Sequence, residues 1–401
     1  MTVLRRIMLS LLKRWVDRRV IGVLGEKPPA PPFIVTANHT SYFDHVVLAW
    51  WLLCSGLPYP KFLSKSELFD SPLSAWFNRR AGGIPVERGG ADTDAFDASR
   101  AVLEGGGIIV MYAEGTRSRD GWIRAPRRGV AALAAETRVP VVPVGLFGVN
   151  AVLPIGSRWP RRRRRIAVHV APPVPPPELG RAAGQDFILR VFARVAGCAG
   201  QWPAFVDPSF MPSPEAPCRP SRGSAAHILV ERALGSSGDE AHRYLRRALT
   251  ITRGVRCDYA RLERGRAAGQ MVQFTRNPFA LIVWALRSKR LIWRSVRRLP
   301  GLALAWHVWA SLMERLPRWL GGDREAARMG HRVAVSLVQD HRTLLHTALS
   351  LRDAGRTDEA ARWLMLFLRL DPTAATPTRL HRGLALRDEL LGGDALAEAG
   401  P

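Results

Sequence analysis

Hydrophobic and polar positions change their rhythm along this chain, and each change predicts a different kind of structure. From Thr2 to Leu24, Leu4, Met8, Leu11, Leu12, Trp15 and Val16 recur at helical spacing, with Arg5, Arg6, Lys13, Arg14, Arg18 and Arg19 largely between them. An apolar stripe set in cations fits a helix lying in a lipid headgroup plane, with a helix packed on its own domain as the lesser alternative. From about Pro32 to Ala199 short β-rich runs alternate with helical patterns, the signature of an α/β domain. Strands are predicted at Phe33–Ala37, Gly83–Val86, Ile108–Tyr112, Val139–Phe147 and Ile166–Val170. Helices are predicted at Val46–Leu53, from Asp92 or Thr93 to the stop at Gly105, at Arg128–Thr137 and at Phe187–Ala199. The units between Ile84 and Leu146 read as successive right-handed βαβ crossovers in a mostly parallel sheet.

Prolines cluster from Pro203 to Pro220, which marks a linker. Beyond it the pattern is helical almost throughout. The expected organisation is a basic amphipathic helix at 1–25, an α/β domain at 26–200, the linker at 201–224, a Trp/Arg-rich helical region at 225–335 and a helical tail at 336–395. The fold class is therefore α/β, a mostly parallel sheet flanked by helices, followed by a mainly α-helical C-terminal region.

Composition sharpens this picture in one respect. At 401 residues the chain has room for about two or three domains. Its 47% hydrophobic and 23% charged residues are ordinary for globular proteins. The charge balance is not ordinary. Lys plus Arg number 59 against 34 Asp plus Glu, a net charge of +25. Such a chain favours anionic partners: phosphate-bearing substrates, acidic lipid headgroups or nucleic acid. Nothing beyond charge points to nucleic acid, and none is expected as a partner. No apolar run reaches the roughly 18–20 residues needed to span a bilayer. Cys54, Cys198, Cys218 and Cys257 are scattered, without a Cys-x-x-Cys pair or a flanking His at ligand spacing, so neither a disulfide framework nor a metal site is expected.

The stretch Ala37-Asn38-His39-Thr40-Ser41-Tyr42-Phe43-Asp44 lies where a strand ends and a helix begins, the place where open α/β sheets carry their sites. Asp44 can hold one ring nitrogen of His39 around the turn, leaving the other free as a base. Taken alone, Asp44 as a helix cap and His39 as a locally bonded residue read as well. A second loop, Ala113-Glu114-Gly115-Thr116-Arg117-Ser118, again follows a strand. It offers a glycine, flanking hydroxyls and an arginine, which are parts for holding a phosphate. Glu114 fits there as a partner of Arg117 or of an acceptor hydroxyl. Arg88 stands in a third loop, after Ile84-Pro85-Val86.

Asn38–Asp44, Ile84–Arg88, Glu114–Ser118 and Val139–Val144 stand in the order and rough spacing of the blocks of the 1-acylglycerol-3-phosphate O-acyltransferase family, which residues 32–174 resemble. The chain departs from that pattern at Pro85 and Val86, where an aromatic is often found. The resemblance implies an acyltransferase in which His39 is the general base and Asp44 its orienting partner. It implies that Glu114, Gly115, Thr116 and Arg117 receive the acceptor, with Arg88 as a second phosphate contact and Lys65 as a further basic position. It implies acyl-CoA or acyl-carrier-protein as donor, a lysophospholipid acceptor (lysophosphatidate first, another lipid or secondary alcohol as the alternative), and no cofactor or metal. The expected location is peripheral or monotopic, on the cytoplasmic face of a membrane with anionic lipid. A membrane-bound adaptor with a vestigial acyltransferase domain is the rival; intact His39, Asp44, Glu114 and Arg117 speak against decay.

Two features lie outside that resemblance. Trp284, Trp293, Trp306, Trp309 and Trp319 interleave with Arg287, Lys289, Arg290, Arg294, Arg297 and Arg298, which suits either an interfacial helix or a helical core. Residues 339–372 weakly resemble a tetratricopeptide unit and offer a platform for a protein partner through the C-terminal helices.

Overall fold

The computed structural model describes residues 13–86, 93–157, 159–161, 164–178, 180–206, 224–255, 257–372, 375 and 377–391. The chain divides into two compact units, Met1–Pro212 and Ser213–Pro401.

The first unit is built on a seven-stranded sheet, β1 (Val20–Gly25), β2 (Phe33–Ala37), β3 (Lys61–Lys65), β4 (Gly83–Val86), β5 (Ile108–Val110), β6 (Val141–Phe147) and β7 (Ile166–Val170), in the order β1-β7-β6-β2-β5-β3-β4. Strands β2 to β6 run parallel, and β7 turns back against β6, carrying β1 beside it. Around them lie helices α1 (Asp44–Cys54), α2 (Pro72–Arg80), α3 (Thr93–Glu104), α4 (Gly129–Thr137), α5 (Val149–Val152) and α6 (Arg181–Cys198). The central strands β2, β5, β6 and β7 are buried along their whole length. That is why they read as continuous apolar runs, as parallel strands covered on both faces do. Phe33, Val35, Val110, Val142 and Val144 pack with Val47, Leu48, Trp51 and Leu52 of α1 in one core.

Three elements depart from the sequence reading. The helix expected over 1–25 does not reach Leu24: residues 13–17 are helical, and Val20–Gly25 is a strand paired with β7. Its residues pair only with a strand far along the chain, so local periodicity carries no sign of it. Residues 1–12 lie outside the described ones. β3 was not expected either, because Lys61 and Lys65 bracket a short apolar stretch. The β5 strand ends at Val110, not Tyr112, although the Met111 N–H still donates to the Val35 carbonyl at 2.9 Å.

The second unit is helical: α7 (Ser224–Gly235), α8 (Gly238–Ile251), α9 (Asp258–Gln270), α10 (Pro278–Arg298), α11 (Ala303–Arg315), α12 (Arg324–Leu337), α13 (His341–Arg352), α14 (Thr357–Arg369) and α15 (Pro377–Leu391). Consecutive helices pack on one another along the unit. The stretch 339–372 is the helical pair α13–α14, opened by a capping box in which Asp340 accepts from the Thr343 N–H and the Thr343 hydroxyl accepts from the Asp340 N–H. The tryptophans divide. Trp306 and Trp309 are core residues, whereas Phe279, Val283 and Leu286 of α10, and Trp319, are exposed. No helix among the described residues is long and apolar enough to cross a membrane.

Candidate active site

β2 ends at Ala37, and the next residue locks the loop that follows. Asn38 donates its amide to the Leu146 carbonyl (3.0 Å) and accepts from the Leu146 N–H (2.7 Å), continuing the β2–β6 ladder with a side chain. His39 then leaves the sheet at its carboxyl edge, and its Nδ1 lies 3.0 Å from Asp44 Oδ2. The same oxygen accepts from the Thr40 N–H (2.7 Å) and the Ser41 N–H (2.8 Å). Asp44 therefore closes the loop in front of α1 instead of capping the helix, and Phe43 is the residue at the cap position. With Nδ1 held by the carboxylate, Nε2 is the nitrogen left to accept a proton.

Asp44 is fully buried, and the His39 side chain is 11% exposed. The His39 ring is sandwiched more than the sequence suggests. Tyr112 stacks on it at 3.8 Å between centroids and 15° between planes, and His45 meets it edge-on at 5.6 Å. The turn of the chain out of β5 after Val110 is what brings Tyr112 over His39.

Glu114 is buried, and the backbone uses both of its oxygens. Oε1 accepts from the His39 N–H at 2.8 Å, and Oε2 from the Arg124 N–H at 3.0 Å. The Ser118 N–H donates to the His39 carbonyl at 2.7 Å. The His39 loop and the Glu114 loop are thus one hydrogen-bonded body. Burial pushes the Glu114 carboxyl up to about 7, against the opposing pull of the two N–H groups.

Beyond Glu114 the loop opens to solvent. Gly115 has φ +68°, and a Cβ there would lie 2.9 Å from Arg127 Nε, so a side chain at this position meets both strain and an arginine. Gly115 and Thr116 are exposed. The Arg117 guanidinium lies over the Tyr42 ring at 3.4 Å, and its Nη1 is buried without a hydrogen-bond partner. A cation parked on an aromatic face with an unused donor is ready to receive an anion.

The structure thus brings His39, Asp44 and Glu114 into direct contact and places Arg117 beside them through Tyr42. Lys65 ends β3, two places from β2 in the sheet and on the same edge. Arg88 lies outside the described residues. Sequence reasoning missed Tyr112, His45, Tyr42 and Arg127. Tyr112 read as the last residue of a strand, and the others carry no signal until the loops are folded together.

Two histidines in this unit, buried His169 and half-buried His45, oppose acid conditions. Burial, with the neighbouring His39 and Arg117, pushes His45 down to about 3, the bond to the Tyr42 backbone opposing. His169 is pushed down to about 4 by burial. A folded value below the unfolded 6.5 contributes stability that is present above pH 6.5 and lost as pH falls below it. At pH 5 each costs up to about 2 kcal/mol relative to pH 7. His45→Phe is expected to flatten the decline in urea midpoint between pH 6.5 and 5. An unchanged acid limb would show that His45 does not carry it.

The part of the chain that carries this geometry is similar to known proteins. An acyltransferase family model matches residues 21–146. The 1-acyl-sn-glycerol-3-phosphate acyltransferase BAT2, chloroplastic, of Brassica napus is 33% identical over 128 residues, covering 31% of this chain and 36% of its own. A lyso-ornithine lipid O-acyltransferase of Pseudomonas aeruginosa is 31% identical over 142 residues, covering 34% of this chain and 53% of its own. The chain therefore spans about a third to a half of the length of these relatives. The crystal structure of the 1-acyl-sn-glycerophosphate (LPA) acyltransferase PlsC from Thermotoga maritima is 25% identical, with a TM-score of 0.38 over 50% of this chain and 83% of that one. The residues matched by the acyltransferase family model, 21–146, include the His39–Asp44 pair and the Glu114–Arg117 loop of the first unit.

Proposed function

We propose that the chain is an O-acyltransferase that moves a fatty acyl group from a thioester donor, acyl-CoA or acyl-carrier-protein, to a lysophospholipid hydroxyl, with lysophosphatidate as the acceptor. The observation that carries this reading is the His39–Asp44 pair beside an arginine with an unused donor, all at the carboxyl edge of one sheet. Nε2 of His39 takes the acceptor's hydroxyl proton as its oxygen attacks the thioester carbonyl. The carbonyl π electrons move onto oxygen, then return to expel the thiolate, which takes up the proton. Asp44 holds the ring and stabilises the imidazolium that forms in between. Glu114 holds the loop of the base through the His39 N–H, and Arg117 receives the acceptor's phosphate.

The unit also offers a surface for lipid. On α2, Leu73 is 77% and Trp76 55% exposed, and the Arg80 guanidinium lies 4.8 Å from the Trp76 ring centre. Exposed apolar residues backed by arginines suit the headgroup layer of an anionic membrane. A peripheral position is the reading that fits this surface together with the +25 charge.

A second acceptor class is favoured by the similarity to a lyso-ornithine lipid O-acyltransferase. The two acceptors separate in one experiment. Purified protein is given labelled acyl-CoA or acyl-carrier-protein with lysophosphatidate or lyso-ornithine lipid, beside Arg117→Ala. Transfer to lysophosphatidate is expected, and Arg117→Ala should raise its KM by about tenfold to a hundredfold, the loss of a charged hydrogen bond. Transfer to lyso-ornithine lipid alone, indifferent to Arg117, would overturn the phosphate role. No transfer from folded protein with any donor would sink the enzyme reading.

A further inference from the structure

The second unit holds a cluster that the acyl-transfer reading does not use. His307 of α11, His331 of α12 and His346 of α13 converge from three helices, with one nitrogen from each lying within 4.8 Å of the other two. Their ring centroids are 4.6 Å apart for His307–His346, 5.5 Å for His331–His346 and 5.6 Å for His307–His331. Nδ1 of His307 and Nδ1 of His331 are both buried without a hydrogen-bond partner. Buried polar atoms are almost always satisfied, so two orphans in one cluster require an explanation.

We propose that His307, His331 and His346 bind one divalent transition-metal ion of the zinc class, tying α11, α12 and α13 together. Glu314 supports the assignment of ligand atoms. Its Oε2 lies 3.6 Å from His331 Nε2, close enough to tighten into the carboxylate contact that commonly backs a metal-bound imidazole, and this leaves Nδ1 for the ion. Nitrogen ligands select zinc, cobalt or nickel over magnesium or calcium, which need oxygen. Three imidazoles with a fourth position open to water or an anion form a familiar zinc geometry. At the usual zinc–nitrogen distance the ligand atoms sit about 3.3 Å apart, so the rings must close inward by about 1.5 Å. His346 is only partly buried, which leaves it the least constrained of the three.

The basic surroundings, Arg266, Arg315, Arg342, Arg379 and Arg382, oppose a dication, and two carboxylates offset part of that charge. Glu231 takes Arg266, Arg342 and Arg379 as partners, and Glu263 also pairs with Arg266. Nothing along the chain announces this site, because the three histidines belong to separate helices and share no ligand spacing.

The test uses the untagged full chain, stripped with chelator and titrated with Zn²⁺ or Co²⁺. One equivalent is expected to bind, with a rise in Tm and, for Co²⁺, visible absorption of nitrogen-ligated metal. His346→Gln and His307→Gln should each weaken binding by at least about tenfold, while His381→Gln, an exposed control on α15, should leave it unchanged. Circular dichroism of the metal-free variants shows whether the loss is one of ligation or of folding. Should both variants misfold, the Co²⁺ spectrum of the wild type decides alone. Binding below one equivalent, a Co²⁺ spectrum of oxygen ligation only, or binding indifferent to folded His307 and His346 variants would overturn the site. So would a Tm raised by inorganic phosphate and not by metal, which would mark the cluster as an anion pocket.

Discussion

Replacing His39 by alanine is expected to lower acyl transfer by about 10²–10⁴-fold in kcat, the usual contribution of a positioned general base. The fold should survive the change. Asp44 Oδ2 keeps the Thr40 and Ser41 N–H groups, and the loop keeps its Ser118-to-His39 backbone bond, so the turn retains its anchors without the ring. What is lost is the Nδ1–Asp44 hydrogen bond and the stack on Tyr112, the latter about 0.5–1.5 kcal/mol for an aromatic pair. Tm should therefore fall by a few degrees while kcat collapses. The KM for the acceptor should change little, because the group removed acts in the transition state and Arg117 still stands over Tyr42. Steady-state kinetics with both substrates varied, beside a thermal melt, separate these effects. Turnover within about tenfold of wild type would remove His39 from the base role. A rise in KM with kcat intact would make it a binding residue.

His39 was legible in the sequence as a candidate base because it sits on a strand end, and strand ends are marked by composition. Phe33–Ala37 is continuously apolar and fully buried, and the polar run that follows can only be a loop at the carboxyl edge. The same logic found the loop after Ile108–Val110. It failed for β1 and β3. Val20–Gly25 is flanked by arginines that continue a helical stripe, and Lys61–Lys65 is bounded by cations; both become strands because a neighbour in the sheet offers hydrogen bonds. The partners of His39 were illegible for the same reason. Tyr112 and His45 face it only after β5 has paired beside β2, and nothing in either residue's neighbours along the chain announces the contact.

Glu114 is where the sequence pattern and the structure suggest different roles, and its replacement is the second large effect. The pattern puts it among acceptor-binding residues, whereas its two oxygens hold the His39 and Arg124 N–H groups. Glu114→Ala strands both donors, at about 1–3 kcal/mol each for a buried unpaired group, so a loss of about 2–6 kcal/mol is expected. Because one of those donors belongs to His39 itself, kcat should fall with stability. Glu114→Gln keeps one acceptor and sets its NH₂ against the other N–H, so it should lie between. A residue that only bound the acceptor would instead raise KM and leave Tm alone. The pH dependence adds an independent check. Its folded value, about 7, stands above the unfolded one, so its contribution is full below about pH 4.5 and is lost as pH rises through 7. The advantage of wild type over Glu114→Gln in urea unfolding should therefore shrink by up to about 3 kcal/mol between pH 5 and 8. If the advantage grows with pH instead, the two N–H groups outweigh burial, and Glu114 works as a fixed anion beneath the base.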